Sequence, residues 1–241
     1  MDTVMIVAAI LAFTPTLILM YVVLRKYTYP AVEQPFFSDP AFFGLFAVGL
    51  VAGTILSAVM FVSQSMFNFL YTVLFAAIQC LAVVVVLNLK RFHGKSDTVF
   101  YGYGIGIGIG CTMAFGTVFF MSSMVNLFEE DSIDILGYLW LVLIAVSQIL
   151  MASSIGTIIG EGIARLKPME FALQAMFVNI VYNLIIFAAY SNEEPLWLYV
   201  LLLLAFAVAA IHFYYVMYVK LSGVVKDVLR MEGKTRKDVP K

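Results

Sequence analysis

Charge is scarce in this chain. Only 12% of its 241 residues are Asp, Glu, Lys or Arg, against 63% hydrophobic residues and a mean hydropathy of +1.01. That balance excludes an ordinary soluble domain and a disordered chain alike. Histidine and cysteine are scarce too, with two of each. His93 and His212 lie far apart, which leaves zinc without its three or four ligands, and no HExxH occurs. Cys80 and Cys111 sit inside apolar segments and read as small buried hydrophobes. A Ser-His-Asp or Cys-His arrangement and a pair of intramembrane aspartates are also missing.

Long apolar runs are what the chain has instead. Stretches such as ILGYLWLVLIAVSQILMASSIGTIIG are continuously apolar, whereas a transmembrane barrel strand alternates polar and apolar over about ten residues. Seven runs, at about residues 3–24, 41–62, 67–89, 99–125, 134–163, 169–190 and 196–219, are each long enough to cross a bilayer as a helix. The first has its positive charges after the apolar run and lacks a small-residue cleavage signal, so it reads as a retained helix. The expectation is an all-α polytopic membrane protein, with a seven-helix transmembrane domain at 1–219 and a basic tail at 220–241. The tail mixes apolar and basic residues as a short interfacial helix does. In the link from Arg25 to Asp39, Pro30 and Pro35 argue against a long helix, and its aromatic residues suit the headgroup level.

Seven crossings put the first, third and fifth links on the same side as the tail. Those links carry Arg25 and Lys26, then Lys90, Arg91 and Lys95, then Arg165 and Lys167, and the tail holds the other seven of the 14 basic residues. The opposite side has only acids, namely Asp2, Glu129, Glu130, Asp131, Asp134, Glu193 and Glu194. By the positive-inside rule the N-terminus is external and the C-terminus cytoplasmic, which suits the plasma membrane. Seven basic residues at the end of a membrane protein call for anionic lipid, not nucleic acid.

The most specific pattern is DTVFYGYGIGIGIGCTMAFG. Gly102, Gly104, Gly106, Gly108 and Gly110 alternate as in a strand, but an isolated strand in lipid would leave its backbone unpaired. In a helix, Gly102, Gly106 and Gly110 fall on one face, and Gly104 and Gly108 on another about 200° away. Such smooth faces admit neighbouring helices at close range. Apolar surroundings and the lack of a following Gly-Lys-Ser/Thr exclude a phosphate loop. A second small series, Ala152, Gly156, Gly160 and Ala164, is the candidate to pack against it. Glu161 nearby is placed to pair with Arg165.

The polar residues within the apolar runs are neutral: Gln79, Gln148, Gln174, Asn179, Tyr182 and Asn183 form a candidate intramembrane cluster. Such groups join helices by hydrogen bonds or line a small polar cleft, and they supply neither carboxylate nor metal chemistry. No cofactor is implied.

Taken together, these residues resemble the PrsW-type intramembrane protease family, whose superfamily includes the CAAX-processing proteases and the scaffold subunit of gamma-secretase. Asp97, Tyr101, Gly102, Gly106 and Gly108 match the family's Asp-Gly-Ile-Val-Tyr-Gly segment and the glycines after it. Ala152 and Gly160 match its His-Ala segment, and Tyr182 its His-Gly-x-Tyr-Asp helix. The family's glutamate pair falls at Ala77-Ile78 or Ile78-Gln79, its Glu-Asn at Met113-Ala114, its histidines at Met151 and Asn179, and its aspartate at Asn183. The resemblance therefore implies a noncatalytic relative, a scaffold or accessory subunit packing against another membrane protein or a second copy. The alternatives are a lipid or small-solute carrier with a neutral cleft, and a protease of the same type with a displaced active site.

Overall fold

Lipid offers the backbone no hydrogen-bond partners, so apolar runs of this length close their hydrogen bonds internally as helices. In the computed structural model, residues 2–62, 68–127, 135–192, 194–234, 236 and 238–240 are described. They form α1 (Asp2–Leu24), α2 (Asp39–Val62), α3 (Phe69–Leu87), α4 (Asp97–Leu127), α5 (Ile135–Ala164), α6 (Pro168–Tyr190), α7 (Pro195–Tyr214) and α8 (Leu221–Met231). A π-helical turn, Tyr215–Lys220, joins the last two. Seven of these helices are long and apolar enough to span a bilayer, and no strand occurs among the described residues. The acidic run Glu129 to Asp131, Asp134 and Glu193 lie outside the described residues.

Local chemistry sets several helix ends. Asn68 caps α3, its side-chain oxygen accepting from the N–H groups of Leu70 and Tyr71 at 3.0 and 3.3 Å. Pro168 and Pro195 open α6 and α7, where a missing N–H costs nothing.

The core is built on α4 and α5. In their spanning segments 67% and 83% of residues are buried, against 22% in α1, so they form the interior and the others its wall. α4 runs between α5 and α2, α3 pairs with α6, and α7 lies against α5 and α6. A methyl group placed on Gly110 would sit 2.8 Å from the Cα of Ile149, and one on Gly156 the same distance from the Cα of Gly106. On Gly160 it would meet the Thr98 carbonyl oxygen at 2.7 Å. The second glycine face meets α2: on Gly108 a methyl would stand 2.5 Å from the Phe46 carbonyl oxygen, and on Gly104 it would press on the Phe42 ring at 3.1 Å. The ladder thus sets one central helix against two neighbours at near-backbone contact. Ala152 and Ala164 are buried in the same region.

The sequence pattern ends the seventh apolar segment at residue 219, and the π turn closes at Lys220. Through that turn the helical chain runs on from Leu196 to Met231, 36 residues, or about 54 Å at about 1.5 Å per residue. That exceeds the roughly 30 Å hydrocarbon layer, so α8 extends beyond it. Its stripe Leu221, Val224, Val225, Val228 and Leu229 is buried, while Lys226 and Arg230 face out. α8 is thus a short amphipathic helix within the basic tail, with its apolar face buried against the rest of the chain.

Ion pairs gather these links at one end. The Glu161 carboxylate, 4% exposed, bridges Arg165 at 2.9 Å and Lys220 at 2.7 Å, and Arg165 reaches Asp227 on α8 at 3.0 Å. Beyond α8, Glu232 accepts from the Ser96 N–H and from Lys234. Arg236 lies 3.9 Å over the Phe36 ring and donates to the Gln34 carbonyl at 2.6 Å. The chain after α8 is thereby latched onto two links far away in sequence.

Burial alone would raise the Glu232 carboxyl, but the Lys234 ammonium and the Ser96 N–H outweigh it and hold it below the ordinary carboxylate range. A lowered folded value means that the latch gains stability above the unfolded glutamate pKa of about 4.3 and loses it as pH falls through the folded value. A spin-label pair on residues 34 and 239 is therefore expected to hold its distance at pH 7 and lengthen below about pH 4. Glu232→Gln lengthens it already at pH 7; a distance indifferent to both changes contradicts the latch.

Candidate functional site: a neutral cavity within the bundle

The polar residues of α3, α5 and α6 converge. Asn179, 1% exposed, directs its amide N–H2 to the Ala76 carbonyl and to Gln79 Oε1, both at 2.9 Å, with Cys80 Sγ at 3.7 Å. One turn on, Asn183 Nδ2 donates to the Asn179 carbonyl at 2.8 Å and to its side-chain oxygen at 3.0 Å. Gln79 Nε2 donates to Met113 Sδ at 3.4 Å, tying the pair to α4. Across the bundle, Tyr182 and Ser147 share a hydrogen bond at 2.8 Å, and Gln148 Nε2 donates to Thr117 Oγ1 at 3.0 Å. Each link joins two different helices or reinforces one that does.

These groups surround a cavity whose room for water-sized groups is about 30 Å³. Gln79, Gln148, Asn179, Tyr182 and Asn183 line it together with Thr72, Met60, Met113, Met151, Ala152 and a wall of Phe75, Ile186 and Phe187. Among the described residues, no acidic, basic or histidine side chain lines it. Five of the six clustered residues expected from sequence therefore meet here. Gln174 does not: it sits on the exposed face of α6, turned away from Asn179. α6 is apolar nearly all round, so its sequence does not fix its rotation.

Met113 and Met151 were reached only through the family resemblance, and sequence reasoning missed Thr117 and Ser147 as parts of this centre, because the two hydroxyls find partners 31 and 35 residues away. One element of the centre carries no partner among the described residues: Gln148 Oε1 is buried and unbonded, on a residue only 8% exposed. A cavity above roughly 10–15 Å³ with polar walls holds water or a polar group of similar size, so this one is neither dry nor large.

The remaining ionisable groups stand elsewhere. Asp97 opens α4 with its Oδ1 buried and without a partner among the described residues, and one turn on the Tyr101 hydroxyl accepts from the Ser38 N–H at 3.3 Å. This fixes the first link to the start of the glycine helix. Glu161 is held by its two cations at the basic end. Among the described residues no group of three or more His, Cys, Asp or Glu stands together as a metal site.

Fold and site define a multipass α-helical membrane protein with a neutral polar centre. No family model, curated protein or solved structure matches the chain.

Proposed function

We propose that the chain is a noncatalytic PrsW-like membrane protein that works by binding, as an accessory or scaffold subunit of other membrane proteins. One observation carries this reading. The positions that the resemblance assigns to the family's reactive residues, Gln79, Met113, Met151, Asn179 and Asn183, come from four helices and line one cavity. Convergence of separate segments on one point supports the alignment of the motifs, and the residues present there are amides and thioethers. Neither type exchanges a proton near neutral pH, which removes general acid–base chemistry from the centre.

The glycine faces of α4 are occupied by α5 and α2, so a partner or a second copy meets the outer wall of α1, α2, α3, α6 or α7. Exposed apolar side chains such as Ile10, Leu17, Val51, Phe177 and Leu203 cover that wall. The gathering of the basic links around α8 supports a cytoplasmic tail and an external N-terminus at the plasma membrane.

One membrane preparation tests both parts. In sealed right-side-out vesicles, a Glu130→Cys label is reached from outside, and the protein isolates with a stoichiometric membrane partner or a second copy while cutting no transmembrane substrate. A label reached only from inside overturns the orientation, and cleavage overturns the noncatalytic reading.

A second reading, a carrier or receptor with a neutral cleft, is favoured by the unbonded Gln148 Oε1 in the cavity wall.

A further inference from the structure

A separate open space lies at the basic end, between the first turns of α2 and the link that leads from α3 into α4. Its room is about 470 Å³, within the roughly 300–1,000 Å³ of ordinary ligand pockets. Two exposed cations line it, Arg91 and Lys95. The link fixes where they stand. Thr98 Oγ1 donates to the Phe92 carbonyl, and the buried Phe92 ring meets the Tyr101 ring edge-on at 5.8 Å, which pins the Lys90–Phe92 turn to the start of α4. Arg91 holds its guanidinium over the Phe92 ring, 4.5 Å from the centroid, with its fork of N–H donors free.

Among the described residues neither Arg91 nor Lys95 closes a salt bridge, whereas Arg165, Lys220, Lys234 and Arg236 do. Lys95 and Asp97 attract without closing one. Asp97 is the one acid among the described lining residues, so the cleft is positive whether that carboxyl holds its proton or not.

The wall on the α2 side is apolar. Gly44 and Val48 stand one turn apart, both exposed, with Leu45 buried beside them. A methyl group on Gly44 would meet nothing within 4 Å. The two residues lie five and nine positions into a span that begins at Asp39, or about 7.5 and about 13.5 Å along the helix at about 1.5 Å per residue. The strip therefore runs from the end of the span into the hydrocarbon layer, with the cations at its mouth.

We infer that this cleft seats an anionic glycerophospholipid, its phosphate between Arg91 and Lys95 and one acyl chain along Gly44 and Val48. Charge and layout select the same class. A phosphate accepts from a guanidinium and an ammonium together, and an attached chain covers the apolar strip that a free phosphate would leave bare. A choline headgroup would bring a further positive charge to the mouth, so a zwitterionic lipid fits less well. The site is separate from the neutral cavity and does not depend on the scaffold role. Partner loss leaves it intact, and failure to bind lipid leaves the partner result intact.

The test uses the delipidated full chain in detergent micelles and native mass spectrometry. The probes are dioleoyl phosphatidylglycerol, dioleoyl phosphatidylcholine and glycerophosphate. The expected result is one tightly held phosphatidylglycerol per chain, retained at least about tenfold better than phosphatidylcholine. Excess glycerophosphate does not displace it, which separates a lipid phosphate from a soluble one. Arg91→Gln with Lys95→Gln lowers phosphatidylglycerol retention at least about tenfold, whereas Lys226→Gln with Arg230→Gln, which removes the same charge from the exposed face of α8, leaves it within about twofold. If the first pair fails to fold, the comparison of the two lipids on the unaltered chain decides alone. Equal retention of the two lipids, displacement by glycerophosphate, or equal losses in the two double variants overturns the inference.

Discussion

Gly106→Leu is expected to yield no folded monomer. A methyl group alone at this position would press on the Ala152 carbonyl and come within 3.0 Å of the Ser153 Cα. Both obstacles are backbone, so no rotamer change relieves them, and α5 would have to move away along its whole length. Overpacking that side chains can absorb costs about 1–3 kcal/mol. Here the helix pair that forms the interior would separate, and the cost exceeds that range. Size-exclusion profiles and thermal unfolding in detergent check the point, with two controls. Gly44→Ala adds a methyl group with nothing within 4 Å, and Gly223→Ala does the same on α8, where removing glycine stabilises a helix by up to about 1 kcal/mol. A Gly106→Leu protein that elutes and melts like the unaltered chain would remove close packing as the reason for the ladder.

Asn179→Leu comes next in expected size. The amide joins α6 to α3 through two hydrogen bonds at 2.9 Å, and its removal strands Gln79 Oε1 within the bundle and takes the second donor from the Ala76 carbonyl, which keeps its helical bond. Asn183 loses its bond to the Asn179 side-chain oxygen but keeps the one to the backbone. Stranded buried groups cost about 1–3 kcal/mol in water-soluble cores, and interhelical hydrogen bonds in membranes average about 0.6 and reach about 1.7 kcal/mol. A loss of about 1–2 kcal/mol follows, with the α3–α6 seam loosened before the α4–α5 core. Hydrogen exchange at α3 and α6 is the measurement. Uniform protection unchanged from the parent would mean that the amides do not hold these helices together.

The two substitutions also mark what the sequence reveals and what it hides. Seven spans are legible because lipid enforces long apolar runs, and their ends fall within a few residues of the expected ones. The two glycine faces follow from helical geometry. That Gly104 and Gly108 meet α2 was not read from the sequence, although Gly49, Gly53 and Ser57 of α2 recur every four residues and carry the signal for it. Asn179 and Asn183 share a face in any helix, whereas Gln174 is placed by the rotation of α6. The latch at Glu232 and Arg236 was illegible for a different reason: its partners lie 136 and 202 residues away. Glu161 shows both sides, since its Arg165 partner is a helical neighbour and its Lys220 partner depends on the continuation of α7.

Proteolysis tests the central claim most directly. The natively isolated chain, reconstituted in proteoliposomes with a panel of single-span membrane proteins, is expected to leave every substrate intact over a full day. Cleavage that appears with the purified chain and disappears in Asn179→Leu, with the fold retained, would place an active centre in this cavity and contradict the account.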